Sequence, residues 1–448
     1  MQSNLLKYLD RRLPRYTSYP TAVQFGPSVN GAAYERWLTA LPPDAPVSIY
    51  LHVPFCAELC LYCGCHTTVA RRYGPVAAYA ELLEREIGLI GKRLAGQTVT
   101  QIHWGGGTPT MLQPKDLMRI MAALNANFTI NADTEMAIEI DPRTLTRAHI
   151  AAMAEIGVGR ASLGVQDFEP SVQEAIGRRQ SVEQTARAVD GLREAGIANI
   201  NLDLMYGLPY QTVATVANTA ERALALRPDR IALFGYAHVP WMKRHQRLIP
   251  EETLPGSSER FAQSRAAADV FVGSGYQHIG LDHFARGDDP LARRQRQGRL
   301  HRNFQGYTTD ETANLIGFGP SSIGSLPDGY VQNTPQMVTY RDMIMAGRPA
   351  TARGRPLTPE DRLRGRIIER LMCDLHVDIA DICQAHQASA EQFAAELSAL
   401  DELAHDGLVE RNGTEIRVPQ EARAFVRAAC AVFDAYGPQA EARYSRAS

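Results

Sequence analysis

Four cysteines, Cys56, Cys60, Cys63 and Cys65, fall within ten residues in the pattern Cys-x3-Cys-x2-Cys-x-Cys. Thiolates this close together serve a soft metal or a redox exchange. A structural zinc site closes a tetrahedron from two separated ligand pairs. No second Cys or His pair follows at that spacing, and His66 belongs to the same loop. A CxxC redox pair accounts for Cys60 and Cys63 but leaves Cys56 unexplained. An iron–sulfur cluster accounts for all three of Cys56, Cys60 and Cys63, because each iron corner of a cubane takes one ligand. Three thiolates then leave a fourth iron open, and an open metal position marks a catalytic rather than a structural site. The other cysteines, Cys373, Cys383 and Cys430, sit among Leu, Met, Ile and Ala and read as small buried hydrophobes.

Three further groups could do chemistry. Gly105-Gly106-Gly107-Thr108 lets backbone approach a ligand closely, or is a plain turn; no Gly-Lys-Ser/Thr follows, so it is not a P-loop. Glu139 and Asp203 are carboxylates inside apolar runs, which demands a partner, either a ligand or a structural cation. Arg293, Arg294, Arg296, Arg299 and Arg302 crowd one stretch, either as a solvated basic surface or as forks for carboxylates, with Arg302 the best candidate.

The elements that must position these groups alternate. Short β-rich runs are expected over 47–53, 99–104, 135–140, 160–165, 199–205 and 230–236. Helical periodicity lies between them, as at 79–94 and 148–156, and at a helix opening with a capping box from Ser181 to Gln184. Such alternation gives parallel strands with helices outside, in a doubly wound sheet or a barrel, with ligands at the carboxyl ends of the strands. The cysteine run follows the first strand and the glycine run the second. Residues 280–324 read as a long loop, either functional or disordered, and 348–356 as a linker. A helix capped by Thr358 and a hairpin over 408–418, turning at Asn412-Gly413, suggest a small winged-helix-like unit.

The chain has 448 residues, enough for about three domains or one large barrel with an appendage. Lys plus Arg number 47 against 49 Asp plus Glu, so no positive field exists to hold a phosphate backbone, and nucleic-acid binding is not expected. No apolar run is long enough for a membrane helix, and residues 1–20 lack the apolar core of a secretory signal. A cytoplasmic enzyme is the expectation, and with no obvious association motif, a monomer.

The cysteine run after the first strand of a βα repeat resembles the radical S-adenosylmethionine (SAM) enzymes. Cys65 and seven longer stretches narrow the likeness to the oxygen-independent coproporphyrinogen III dehydrogenases. These stretches are PRYTSYPTA (14–22), YLHVPFC (50–56), HWGGGTPT (103–110), GVQDF (164–168), DLMYGLP (203–209), GLDHFAR (280–286) and HRNFQGYTT (301–309). The resemblance thins over the last 90 residues.

It implies an α/β fold: a partial (β/α)6 TIM-like radical SAM barrel over 46–285, under an N-terminal extension, 1–45. Substrate-site loops and a linker (286–356) and a mainly helical C-terminal domain (357–448) would follow. It also implies one [4Fe-4S] cluster on Cys56, Cys60 and Cys63, whose open iron is chelated by SAM. An electron from the cluster cleaves SAM to methionine and a 5'-deoxyadenosyl radical. Two SAM molecules are implied, one touching Tyr50, Gly106, Glu139 and Ile323, the other Tyr62, Gly107, Thr108, Gln166, Arg178, Asp203 and Ala237. Tyr62 departs mildly from relatives that carry Phe there. The implied reaction converts two propionates of coproporphyrinogen III to vinyl groups, giving protoporphyrinogen IX in haem biosynthesis. An electron donor and an electron acceptor, both unidentified, are needed. Cys65, Arg302 and Arg15 are candidates for the substrate site. The rivals are a haem chaperone that keeps the cluster and a radical SAM enzyme acting on another tetrapyrrole. Such chaperones usually lack both a Cys at position 65 and the 301–309 loop present here.

Overall fold

The computed structural model describes residues 6–94 and 96–437. Six parallel strands form its centre: β1 (Val47–Val53), β2 (Val99–Gly106), β3 (Glu135–Ile140), β4 (Arg160–Gln166), β5 (Asn199–Tyr206) and β6 (Arg230–Gly235). They neighbour one another in chain order. The helices between them include α1 (Gly74–Gly91), α2 (Pro114–Asn127), α3 (Arg147–Glu155), α4 (Val182–Glu194) and α5 (Val213–Ala225), and α6 (Ser257–Gly273) follows β6.

Side chains alternate across a strand, and here the two faces differ sharply. One face carries Ile49, Leu51, Ile102, Trp104, Ile138, Leu163 and Leu202, all fully buried in the main core with the helices. Each contributes on the order of 1.5–3 kcal/mol by leaving water. The opposite face carries Tyr50, His52, His103, Glu139, Ser162, Asn201 and Asp203, brought level by the register. A fully packed barrel fills its interior with apolar layers; this one leaves a polar concave face.

The sheet is open and larger than six strands. Six more strands join it: β7 (Tyr276–Ile279), β8 (His283–Arg286), β9 (Leu315–Phe318), β10 (Ile323–Leu326), β11 (Gly329–Asn333) and β12 (Thr351–Pro356). The order is β12-β11-β10-β9-β1-β2-β3-β4-β5-β6-β8-β7. Its two end strands do not pair, which agrees with the expected partial barrel. β9 runs parallel to β1, a seventh parallel strand.

Several expectations need correction. The stretch 280–324 is not a long loop: it holds β8, β9, the start of β10, a helix at Pro290–Arg296 and a hairpin of His301–Asn303 with Gly306–Thr308. Strands of three or four residues are too short to display a period. The linker read at 348–356 is largely β12, an edge strand whose Ala352 and Arg353 face solvent; its polar composition reflects the edge. α1 begins at Gly74 rather than 79, with Pro75 in its first turn. The Ser181 hydroxyl does accept from the Gln184 N–H, which is half of the expected box; the reciprocal box forms at Thr358 and Asp361. The C-terminal hairpin turns at Gly413-Thr414, one residue later than read, because Asn412 pairs with Glu415. No helix among the described residues is long and apolar enough to cross a membrane.

A second core unites the C-terminal helices with the start of the chain. Tyr8, Leu9, Leu13, Tyr16 and Tyr19 pack with Ile367, Leu371, Phe393 and Phe433. Residues 29–41 instead join the barrel core through Val29, Tyr34 and Leu38. Cys383 lies in the second core, Cys430 too, and Cys373 in a small satellite cluster, all fully buried as the sequence suggested.

Candidate active site

The cysteine loop leaves β1 and is laced to the glycine run. Gly107 N–H donates to Val53 O at 2.8 Å and Thr108 N–H to Phe55 O at 2.7 Å. A side chain at Gly107 would press on Phe55 O at 2.5 Å, one at Gly105 on Glu139 Oε1 at 2.7 Å, and one at Gly106 on the His52 ring at 2.7 Å. Gly106 also has φ +110°, where a Cβ is strained. The three glycines therefore answer to close packing inside the site itself. β2 extends to Gly106, two residues past the expected end.

Polar donors surround the sulfurs. Cys56 Sγ accepts from Thr67 Oγ1 at 3.1 Å and Thr108 Oγ1 at 3.5 Å. Cys60 Sγ faces Arg178 Nη1 at 3.6 Å and Arg143 Nη2 at 3.8 Å. Cys63 Sγ accepts from the Cys65 N–H at 3.4 Å. The Cys65 thiol, Lys243 and His245 together hold the Cys63 thiol well below its ordinary range. Such donors stabilise thiolates, the form that binds metal. A three-thiolate loop with cationic neighbours fits the open-cornered iron–sulfur cluster.

The loop backbone is gripped separately. Gln246 Nε2 donates to Tyr62 O at 2.9 Å, and His245 Nε2 lies 2.8 Å from Cys63 O. Lys243 Nζ donates to Cys65 O at 2.8 Å. Nothing in the spacing of residues 243–246 pointed to this clamp.

On the concave face, Glu139 accepts from the Gly106 N–H at 3.1 Å and meets His103 Nε2 at 3.1 Å. Asp203 accepts from Ser162 Oγ at 2.9 Å and Asn201 Nδ2 at 2.8 Å. Burial pushes its carboxyl up to about 6; the two donors oppose this, and the charge of Glu139 adds to it. Tyr50 donates to or accepts from His52 Nδ1 at 3.1 Å. Gln166 sits just past a bulge, where the register steps from Gly164 to Gln166, with φ +69°.

Charge alone would leave Arg178 at the surface, but the fold buries it. It lies in the loop after Pro170–Ala175, 5% exposed, and donates to Gly164 O at 2.6 Å and Asp141 Oδ2 at 3.3 Å. Asp141 and Arg143, which sequence reasoning missed, complete this ion network at 2.7 Å. Their signal was position alone: they directly follow the strand that carries Glu139. Ile323 opens β10, whose neighbour β9 pairs Gly317 with Tyr50. Ala237 follows β6, its carbonyl held by Gln246 Nε2 at 3.3 Å.

Beyond β6 lies a cavity of about 740 Å³, within the range of small-molecule sites. Gly235, Tyr236 and Ala237 line it, with Arg15 and Arg302. Of the five crowded arginines, Arg294 and Arg299 pair with Glu311 and Arg293 donates to Asp288 O. Arg296, exposed, and Arg302, half-buried, both line the cavity. Cys65 is not among the lining residues; it stays with Cys63.

The sequence as a whole is 50% identical over 443 residues to the oxygen-independent coproporphyrinogen III oxidase of Bradyrhizobium diazoefficiens, covering 99% of this chain and 98% of that protein. This chain belongs to the oxygen-independent coproporphyrinogen III oxidase family. The Escherichia coli K12 member of the family is 40% identical over 424 residues, 94% of this chain and 93% of that one. The solved structure of coproporphyrinogen III oxidase (HemN) from Escherichia coli, a radical SAM enzyme, superposes with a TM-score of 0.91, covering 97% of this chain and 98% of that one. Residues 50–223 match the Radical SAM superfamily and 357–425 the HemN C-terminal domain. For an oxygen-independent coproporphyrinogen III oxidase, superfamily membership implies a [4Fe-4S] cluster and SAM.

Proposed function

We propose that this chain decarboxylates two propionates of coproporphyrinogen III oxidatively to vinyl groups without oxygen, yielding protoporphyrinogen IX. The observation that carries the reading is the polar concave face, with a three-thiol loop at one end and a large cavity opening past β6. The bound cluster and SAM supply a carbon radical that takes a hydrogen from the propionate β-carbon; the protein binds, orients and excludes water.

Cys56, Cys60 and Cys63 hold the cluster. Tyr50, Gly106, Glu139 and Ile323 hold the SAM on it; Glu139, already hydrogen-bonded to Gly106, is placed to receive a cationic amino group. Tyr62, Gly107, Thr108, Gln166, Arg178, Asp203 and Ala237 form the place for a second SAM. Two propionates react, so two radicals are consumed per substrate. Gln166 and Arg178 support this grouping, since both crowd Gly164, at 2.9 and 3.2 Å from where its Cβ would stand. The chemistry would also draw on an electron donor and, for each CO2 lost, on an acceptor of one electron. A cluster held by thiolates suits a reducing cytoplasm; we read the working unit as a cytoplasmic monomer.

The test is an anaerobic assay of reconstituted protein with SAM, a reductant, an electron acceptor and coproporphyrinogen III, following the vinyl product. SAM cleavage and two vinyl groups per turnover are expected. Haem transfer without SAM cleavage would overturn the reading.

A further inference from the structure

Gln246 is wholly buried in a short 3-10 turn, Arg244–Leu248. The turn fixes its backbone: Gln246 N–H donates to Lys243 O at 3.0 Å and Gln246 O accepts from Ile249 N–H at 3.1 Å. Its side-chain amide is used at both ends. Nε2 donates to Tyr62 O at 2.9 Å and faces Ala237 O at 3.3 Å, and Oε1 accepts from Val239 N–H at 2.6 Å. An amide nitrogen carries two hydrogens, and here it has two carbonyl partners. One group therefore ties the cysteine loop to the segment that leaves β6. Beneath it, Ile249 packs with Val172, Ile176, Leu208 and Tyr236, and Leu61 and Tyr62 pack against them. Apolar packing is non-directional, so the spacing of the two segments falls to the amide.

Resting on the reading of two SAM places, we infer that Gln246 is a positioning residue for the second of them, acting through Tyr62 and Ala237. Both of those residues belong to the second place and neither to the first. Tyr50, Gly106, Glu139 and Ile323 stand on β1, β2, β3 and β10, where strand pairing sets their positions. Within the second place, Gln166 and Asp203 stand on β4 and β5, and the Gly107 and Thr108 N–H groups are bound to Val53 O and Phe55 O. Tyr62 and Ala237 lie outside helices and strands. They are the members that need a brace, and the amide braces both. Cys63 and Cys65 have partners of their own for their carbonyls, His245 and Lys243. Loss of the amide therefore falls on the second SAM and spares the cluster.

The test uses cluster-loaded protein, kept oxidised so that SAM binds without being cleaved, and counts bound SAM by equilibrium dialysis. Gln246→Glu matches the amide in size and keeps an oxygen for Val239 N–H, but it turns oxygen instead of N–H toward Tyr62 O and Ala237 O. Gln246→Met keeps the length and removes all three hydrogen bonds. Wild type should bind two SAM per cluster. Each variant should hold one SAM at wild-type affinity and bind the other about 10- to 100-fold more weakly. Cluster absorbance should stay within about twofold. In turnover, both variants should release mono-vinyl product at a SAM concentration that suffices for wild type, and excess SAM should restore the second vinyl group, a change in KM with kcat kept. A loosened fold would weaken both SAM places and the cluster together. That result, or two SAM bound at wild-type affinity in either variant, would overturn the role of Gln246. If wild-type protein binds a single SAM, the two-SAM reading fails and this inference with it; if wild type and variants alike bind two, only the role of Gln246 fails.

Discussion

Two aspartates toward the β5–β8 part of the sheet have opposite acidities. Asp203 on β5 pairs across to Ala232, which pairs with His283; Asp282 is the next residue back along the chain. Both are shielded from water. Asp203 has neutral donors and the charge of Glu139 around it, and its pKa rises to about 6. For Asp282, burial also pushes up, but the His283 hydrogen bond at 2.7 Å and the charges of Arg302 and Arg15 outweigh it and bring the pKa down to about 2. Beside the cysteine loop, Glu139 and Asp203 are carboxylates suited to the sulfonium and ammonium of SAM, while Arg143, Arg178 and Lys243 face the sulfurs and the loop backbone. The cavity side carries Arg15 and Arg302, suited to a polycarboxylate.

The harshest way to break this comparison is Cys60→Ser. Cluster absorbance and SAM cleavage should both vanish, while coproporphyrin III binding stays within about threefold if the two sides are independent. A parallel loss of porphyrin binding would show that they are one unit. Cys65→Ser should keep the absorbance and slow product formation about tenfold; cluster content falling as in Cys60→Ser would make Cys65 a ligand.

Asp203→Asn and Asp282→Asn sharpen the contrast through pH. The raised Asp203 carboxyl contributes stability fully below about pH 4, lost as pH rises through 6, on the order of 2–3 kcal/mol. The depressed Asp282 contributes stability above about pH 4, lost as pH falls toward 2. Urea midpoints of each variant against wild type should therefore diverge in opposite directions with pH, and equal slopes would refute the assignment. The smallest effect is expected at Arg294→Ala, where a partly exposed pair with Glu311 should leave stability and the KM for coproporphyrinogen III within about twofold. A larger rise in KM would return Arg294 to the substrate site.

How much could be read from the sequence follows the same division. The cluster side is built from contiguous runs, so thiol spacing and the glycines after β2 announced it, and the alternating strands announced the barrel. The cavity side is assembled by tertiary packing. Arg302 could be singled out only by the stretch around it, since five arginines in ten residues look alike until Glu311 claims two of them. Arg427, in the apolar run Phe425-Val426-Arg427-Ala428-Ala429, was visible only as a charge out of place. Arg178 and Arg143 were opaque for a related reason: a buried arginine looks like a surface one until its carboxylate partner is located. The short strands after β6 carried no periodicity, so β8, β9 and the start of β10 were read as loop and β12 as linker.

The clamp at residues 243–246 bears on what happens when the metal centre is damaged. It grasps carbonyls and makes no hydrogen bond to a sulfur, so the shape of the thiol loop is imposed by amide, imidazole and ammonium groups that iron does not engage. Oxygen that strips the iron would leave a mould behind, ready to be refilled without refolding.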